Sequence, residues 1–360
     1  MRTLINTQSG CLRVSMTVVF VLMLSLYSSC SMIDEDQSDC GKEAKMDYEL
    51  QLITNMTIEL ETQLDKEIDE DVIDALKEYL KNIFTDFAHD VDLSFYDTQG
   101  DSIRLQHDQH IMDANQQSYT LLLPMREYMH LAAANLVNNP QVSLADDERC
   151  HPSKLLQQTA DTIKPHTTGL FTARLPMDVK ENEDQSFHVK LYMANCAAAL
   201  VLDNQGYDTQ GMQVFTSGFA SGFNINDSTF TFGKASVVKA DELEVKNNRQ
   251  LCFCSVNFPS REPETTRTVI ETEEPFIAQE GEKSLWEFQV YVPDPSSAQS
   301  RADRKITQTI LRLRRPLRAG QLIIIRGRVQ KDGSIATTMP EVGVSVTLDW
   351  KPGGVYHPDL

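Results

Sequence analysis

Tryptophan is scarce in this chain, with two among 360 residues, and aromatic residues together make up 8%. Stacking platforms for sugar rings are therefore few. Long apolar runs are missing too. The most apolar stretch, Met16–Leu26, has eleven residues, and a transmembrane helix needs roughly 20. Basic residues are outnumbered, 33 against 52 acidic, for a net charge of −19. A surface of that sign repels nucleic acid and anionic lipid, so no nucleic-acid partner is expected. The chain has no Gly-x-Ser-x-Gly elbow, no phosphate-cradling glycine loop and no His-Glu-x-x-His. Carboxylates abound, but among 52 acids their pairing carries no information about glycoside chemistry. The expectation is a protein that is not an enzyme and holds no cofactor and no metal.

What is present begins at the N-terminus. The short apolar stretch follows Arg2 and Arg13 and leads through Tyr27-Ser28-Ser29 to Cys30. Eleven residues with positive flanks fit the h-region of a signal peptide. Small residues before a cysteine fit a lipoprotein cleavage site, although Tyr27 stands where an aliphatic residue is usual. The expectation is a signal peptide over 1–29, lipidation of Cys30, and a polar lipidated tether over 30–45. Two or more acyl chains give stable anchoring without a spanning helix. Asp34-Glu35-Asp36 just beyond the cysteine is similar to the export tag of surface lipoproteins.

The remaining length suits about two domains, and 41% hydrophobic content is enough for real cores. Of the seven cysteines, Cys11 would leave with the signal and Cys30 would take lipid. Cys40, Cys150, Cys196, Cys252 and Cys254 remain, with connectivity open. Cys252 and Cys254 share one face of a strand and read as buried core residues.

Tyr48–Leu60 alternates apolar and polar residues, as a half-buried strand does. Leu64–Asp90 carries Val72, Ile73, Leu76, Leu80, Ile83, Phe84 and Phe87 at helical spacing, with acids at its start. It is the one strong amphipathic helix. Strand patterns follow at Val91–Asp97, Ser118–Leu123 and Tyr128–Asn135. Residues 138–170 read as a polar, loop-rich excursion. Phe187–Asp203 alternates first and is wholly apolar later. Further strands are expected at Gln213–Thr216, Ser228–Phe232, Gln250–Phe258, Ser284–Val292, Ile306–Arg314, Gln321–Val329 and Val344–Trp350. Many short strands between turn residues mean an antiparallel sandwich. The domain boundary falls near 170–182, giving an N-terminal β-sandwich domain over 46–175, which holds the helix, and a C-terminal one over 176–360.

Four features invite a site. His107-x-x-His110 has metal-ligand spacing but no third ligand, so it reads as a pair of solvated loop histidines. Asp69–Asp74 lacks the glycine and the spaced oxygens of a calcium loop. Arg301–Arg328 is the one basic stretch, and in Leu311-Arg-Leu-Arg and Ile325-Arg-Gly-Arg the arginines alternate along strands. Such runs are usually solvated faces. The functional reading is a docking surface for an acidic partner, with Arg312, Arg314, Arg326, Arg328 and Trp350 as candidates. Asp101-Ser-Ile, Asp161-Thr-Ile and Asp227-Ser-Thr are similar to a short O-glycosylation sequon.

An ordered set of segments carries a family resemblance. Cys30 and Asp39-Cys40 precede the first strand, and Val91-Asp-Leu-Ser-Phe-Tyr-Asp97 runs to a turn at Gly100. Tyr119-Thr-Leu-Leu-Leu-Pro124 leads to Tyr128 and Ala134-Asn135. Phe187-His-Val-Lys-Leu-Tyr-Met193 opens the second half, and Thr347-Leu-Asp-Trp-Lys-Pro-Gly-Gly354 closes the chain. This set resembles the FimB/Mfa-type fimbrial anchor lipoproteins of Bacteroidales-type bacteria. Two departures stand out: Leu123-Pro124-Met125-Arg126-Glu127-Tyr128 lacks the family's glycine, and Ala132–Ala134 replaces an expected tryptophan. The resemblance implies two tandem transthyretin-like antiparallel β-sandwich domains in a mainly β fold. It implies an outer-membrane, lipid-anchored and cell-surface-exposed structural subunit of a fimbria, an anchor or assembly component. Its partners would be fimbrial subunits bound by β-strand addition, with Val344–Trp350 as the contact. The alternative is a surface lipoprotein that binds glycan or peptide ligands on a sandwich face.

Overall fold

The computed structural model describes residues 43–53, 56–60, 68–85, 87–99, 104–112, 118–146, 152–180, 185–233, 236–246, 249–263, 284–293, 306–337 and 344–348. Cys30, the tether before Glu43, Cys40, Cys150, Asp101–Ile103 and Trp350 lie outside them. The described residues from Ala44 onward belong to one compact unit. The described part is mainly β, in several sheets, with one α-helix.

Sheet A has the spatial order β4 (Arg104–Met112), β3 (Asp90–Asp97), β6 (Glu127–Ala134), β10 (Phe171–Asp178), β11 (Gln185–Met193), β1 (Glu43–Ile53), β5 (Ser118–Pro124). Sheet B runs β17 (Asp241–Leu243), β18 (Gln250–Asn257), β12 (Cys196–Asp203), β21 (Gln321–Val329), β2 (Met56–Leu60), β23 (Val344–Leu348), with β22 (Ile335–Thr337) also on β21. Sheet D runs β20 (Ile306–Leu313), β19 (Trp286–Pro293), β13 (Gln213–Ser217), β16 (Val237–Lys239), β9 (Thr162–Ile163). Sheet C runs β15 (Thr229–Thr231), β14 (Gly222–Asn224), β8 (Pro152–Gln157), β7 (Val142–Asp146).

Period-2 alternation explains the layering. On β12, Ala197, Ala199 and Val201 join a core with sheet A residues such as Leu93, Phe95 and Leu191. The intervening Cys196, Ala198, Leu200 and Leu202 join a second core with Trp286, Phe288 and Val290 of sheet D. Both faces of β12 are therefore dry, which is why its sequence is apolar throughout. A third core lies on the other face of sheet A, where Leu131 and Ala133 meet Leu155, Phe223 and Phe258. Sheet C covers that face, and its strands β7 and β8 fall within the segment expected to be a loop-rich excursion. Those strands are short and break the usual alternation, with Ser153 buried and Leu156 exposed, so the sequence pattern hides them.

The helix, α1 (Glu70–Ile83), is shorter than the pattern predicts. It buries Val72, Leu76, Leu80 and Ile83, places Glu70 and Asp71 in its first turn and Lys81 in its last, and so complements its own dipole. Phe87 lies past its end and is exposed. The Asp69 amide donates to Gln250 Oε1 at 2.9 Å. Gln250 Nε2 in turn donates to Asp203 Oδ1 at 2.8 Å, tying the helix start to sheet B.

Two strands expected to be continuous change sheet partway. Tyr48–Leu60 divides into β1 in sheet A and β2 in sheet B, and Phe187–Asp203 divides into β11 in sheet A and β12 in sheet B. β1 pairs parallel with β11, while β2 and β12 both pair parallel with β21. The second switch is held by Asn195, fully buried. Its Nδ2 donates to Thr168 O, its Oδ1 accepts from Leu170 N, and its carbonyl accepts from Gly320 N. Position 175/176 lies inside β10, and strands from both sides of it share sheets A and B.

Candidate functional site

The C-terminal strand is the first feature of interest. β23 pairs antiparallel with β2, from Met56↔Leu348 to Leu60↔Val344. It ends sheet B, and among the described residues no strand lies on its other side. Its main-chain groups on that side form a sheet edge, the element that strand addition uses.

The predicted docking arginines divide into two places. Arg312 is on β20, alternating with Leu311 and Leu313 of the B–D core, so it faces outward from sheet D. Its Nε lies 3.9 Å from Glu287 Oε2. Arg314 follows the end of β20. Arg326 and Arg328 are on β21 in the middle of sheet B, alternating with Ile325 and Val329. The B–D core thus lies between Arg312 and the other pair. Arg326 is 7% exposed and Arg328 is exposed. In register, Arg328 stands beside Asp203, an opposite-charge cross-strand pair. Trp350 lies outside the described residues.

The outward face of sheet D carries a chain of polar side chains. Gln308 Nε2 donates to Tyr291 Oη at 3.0 Å, and Tyr291 Oη donates to Gln289 Oε1 at 3.3 Å. Gln289 Nε2 donates to Glu287 Oε1 at 2.7 Å, and Ser217 Oγ donates to the same oxygen at 3.2 Å. Phe215 meets Tyr291 edge-on at 5.6 Å between ring centres.

His107 and His110 are on strand β4, not in a loop. β4 is an edge strand of sheet A and exposes polar residues on both faces, which is why its sequence lacks a strand's alternation. His110 Nδ1 lies 2.6 Å from Asp92 Oδ1. Burial pushes the Asp92 carboxyl up, and this histidine pulls it back. Among the described residues no three His, Cys, Asp or Glu side chains form a metal-holding group.

The strongly shifted titratable groups are structural. His130 is fully buried and stacks on Phe95 at 4.3 Å. Its Nδ1–H donates to Ser94 O at 3.0 Å, and its Nε2 accepts from Tyr48 Oη at 2.5 Å. Burial pushes its pKa down to about 4. His166, edge-on to Phe258, is pushed by burial to about 3. Cys196, Cys252 and Cys254 are free and buried. Burial raises all three thiols, Cys252 to about 12, so none is poised as a nucleophile. Cys252 and Cys254 do share one face and one core, as the spacing predicts.

The Pro124–Tyr128 turn that departs from the family pattern is closed by its own residues. Tyr128 Oη donates to Pro124 O at 2.7 Å, and Arg126 Nη1 lies 2.7 Å from Asp97 Oδ2. Arg126 also offers its carbonyl to Val179 N.

Sequence reasoning missed a groove on the outer face of sheet A, beside sheet C, with a volume of about 480 Å³. Arg174 of β10 and His188, Lys190 and Tyr192 of β11 line one side, and Phe223, Ser228 and Phe230 the other. Tyr192 is 59% exposed. The signal was an exposed tyrosine in the outward phase of an alternating strand, Ser186, His188, Lys190, Tyr192.

No protein-family model matches the chain, and no curated protein matches it. Solved structures do. A proposed polysaccharide-binding protein from Bacteroides thetaiotaomicron aligns at 10% identity and TM-score 0.48, covering 84% of this chain and 98% of that one. The fimbrial anchor protein Mfa2 from Porphyromonas gingivalis aligns at 10% identity and TM-score 0.44, covering 82% and 95%. The tip fimbrial protein Mfa3 from the same organism aligns at 10% identity and TM-score 0.40, covering 86% and 100%. The solved structures to which this chain is similar thus include Mfa-type fimbrial proteins of Bacteroidales.

Proposed function

We propose that this protein is a structural subunit of a fimbria, held to the outer membrane by lipid on Cys30 and joined to partner subunits by strand addition at its C-terminal edge. It is not an enzyme in this reading. Mfa2 is described as a fimbrial anchor and Mfa3 as a fimbrial tip protein; we assign this chain a role of that class on its own residues. The observation that carries the proposal is the position of β23. It ends the central sheet and is held among the described residues by β2 alone. A strand held by one ladder exchanges or extends far more readily than one held by two. Main-chain hydrogen bonds then supply affinity, and alternate side chains supply specificity.

Other features support a mechanical role. The perturbed histidines and thiols are buried in cores rather than gathered in a cleft. No helix among the described residues is long and apolar enough to cross a membrane, so lipid on Cys30 would be the attachment. We read the A–B and B–D cores as the interiors of the two expected transthyretin-like sandwiches, with sheet B facing both. The arginines at 312, 314, 326 and 328 and Trp350 remain proposed docking residues. Their two locations call for separate substitution.

Deleting residues 344–360 in cells tests the edge. Fimbriae should be lost or shed into the medium, and normal, attached fimbriae would overturn the assignment. Cys30→Ala tests the anchor, since the protein should move from the membrane to the soluble fraction.

A further inference from the structure

We propose that the groove between β10, β11 and sheet C binds an anionic oligosaccharide, a glycan whose sugar rings carry carboxylates. The proposal is independent of the fimbrial role. It concerns what the surface captures, so its failure leaves the strand-edge assignment as it was.

Charge complementarity is the main argument. The chain carries 52 acidic residues, yet among the described residues no Asp or Glu lines this groove. Arg174, His188 and Lys190 do. His188 is engaged, with Nδ1 2.6 Å from Glu49 Oε2 across the β1–β11 ladder. Arg174 and Lys190 have no carboxylate partner among the described residues. Two cations with no carboxylate partner among the described residues, facing one cleft, make a local field that favours an anion. Nucleic acid and anionic membrane are poor occupants, because both would extend from a small cationic cleft onto acidic surface.

The strand geometry opens the cleft. The β10–β11 ladder is two pairs long, Phe171↔Met193 and Thr172↔Tyr192. Arg174 and Lys190 lie beyond it, on strands no longer paired there, so their side chains flank the opening. β10 stays fixed by its full ladder with β6, and β11 by its ladder with β1. The cations therefore stand on rigid elements, as a preorganised site requires.

The apolar parts select the shape. Tyr192 presents an exposed ring on the floor of the groove, and Phe223 and Phe230, 4.6 Å apart between ring centres, form the opposite wall. A uronate ring has one face of C–H groups and a carboxylate at its rim. The C–H face would stack on Tyr192, the carboxylate would reach Arg174 and Lys190 in charge-assisted hydrogen bonds, and Ser228 would serve a ring hydroxyl. The volume is that of a small-ligand site.

The test is titration calorimetry of the full chain with a panel of uronate oligosaccharides. The same oligosaccharides with carboxyls reduced to alcohols and an oligoglutamate peptide of matched charge serve as comparators. We expect at least one uronate to bind, with its reduced form and the peptide at least about tenfold weaker. Arg174→Ala, Lys190→Ala and Tyr192→Ala should each weaken the uronate by about tenfold or more. All three positions are exposed, so these variants keep the fold. Equal binding of reduced and native oligosaccharide, tighter binding of the peptide, unaffected variants, or no uronate binding would each overturn the proposal.

Discussion

Asn135 offers the sharpest test of how this structure is held. It follows β6, is fully buried, and adopts φ 67°. Its Oδ1 accepts from the His89 amide at 2.7 Å, and its Nδ2 donates to Gly169 O at 2.9 Å. Its own carbonyl accepts from Thr168 Oγ1 at 2.6 Å. One side chain thus pins the end of α1's connection, the end of β6 and the 166–170 segment. Asn135→Ala strands the His89 amide and the Gly169 carbonyl, at about 1–3 kcal/mol each. It also puts a β-carbon in the left-handed region without asparagine's local compensation, adding roughly 1 kcal/mol. The expected loss is about 3–7 kcal/mol. Asn135→Gly loses the same hydrogen bonds but tolerates the backbone, so it should fall short of the alanine variant's loss by about 1 kcal/mol. Urea unfolding of the two variants and the parent reads both quantities from midpoint shifts at constant slope. An alanine variant within about 0.5 kcal/mol of the parent would refute the pinning role. A glycine variant as damaged as alanine would refute the backbone argument.

Acid should destabilise the protein through its buried histidines. His130 and His166 have folded values of about 4 and about 3, below the ordinary 6.5. The unfolded chain therefore takes up protons first, and stability falls as pH drops from 6.5 toward 4. His130 alone contributes a loss of roughly 3 kcal/mol over that window. Neither ring nitrogen of His166 has a protein hydrogen-bond partner among the described residues. His166→Phe should accordingly flatten the pH profile without lowering stability at neutral pH, as urea melts at pH 7 and pH 5 would register; an unchanged slope would count against this. Cys196, Cys252 and Cys254 should resist alkylation in the native protein and react in denaturant, with modified sites mapped by mass spectrometry. Native labelling of Cys254 would mean the core between sheets A and B opens.

Legibility in the sequence tracked burial. Trp286–Pro293, a strand with one wetter face, was readable almost to the residue because alternation survives in it, whereas Gln250–Asn257, buried on both faces, was readable as a short apolar run between turn residues. The helix was readable from Val72, Leu76 and Leu80, but its end was not, since Phe87 continues the spacing beyond the last hydrogen-bonded turn. Sheet membership was hidden. The alternation of Tyr48–Leu60 does not reveal that β1 ends at Ile53 and that β2 belongs to another sheet, because a change of sheet need not break the period. The histidines of β4 were taken from their strand by an edge that is polar on both faces. Of the groove only the outward Tyr192 left a trace in the sequence, because Arg174 and Lys190 are brought opposite each other by the register of β10 on β11.

The first change of sheet also sets an order of events. β2 belongs between β21 and β23, strands from the opposite end of the chain. β2 must wait, unpaired, until β21 and β23 are available. Such long-range closure is slow and carries its entropy cost before any contact repays it. Sheet B therefore completes only once β21 and β23 have been made. A chain that stops before β21 would leave β2 without either neighbour, so the β23 edge is finished only on a chain that carries both strands.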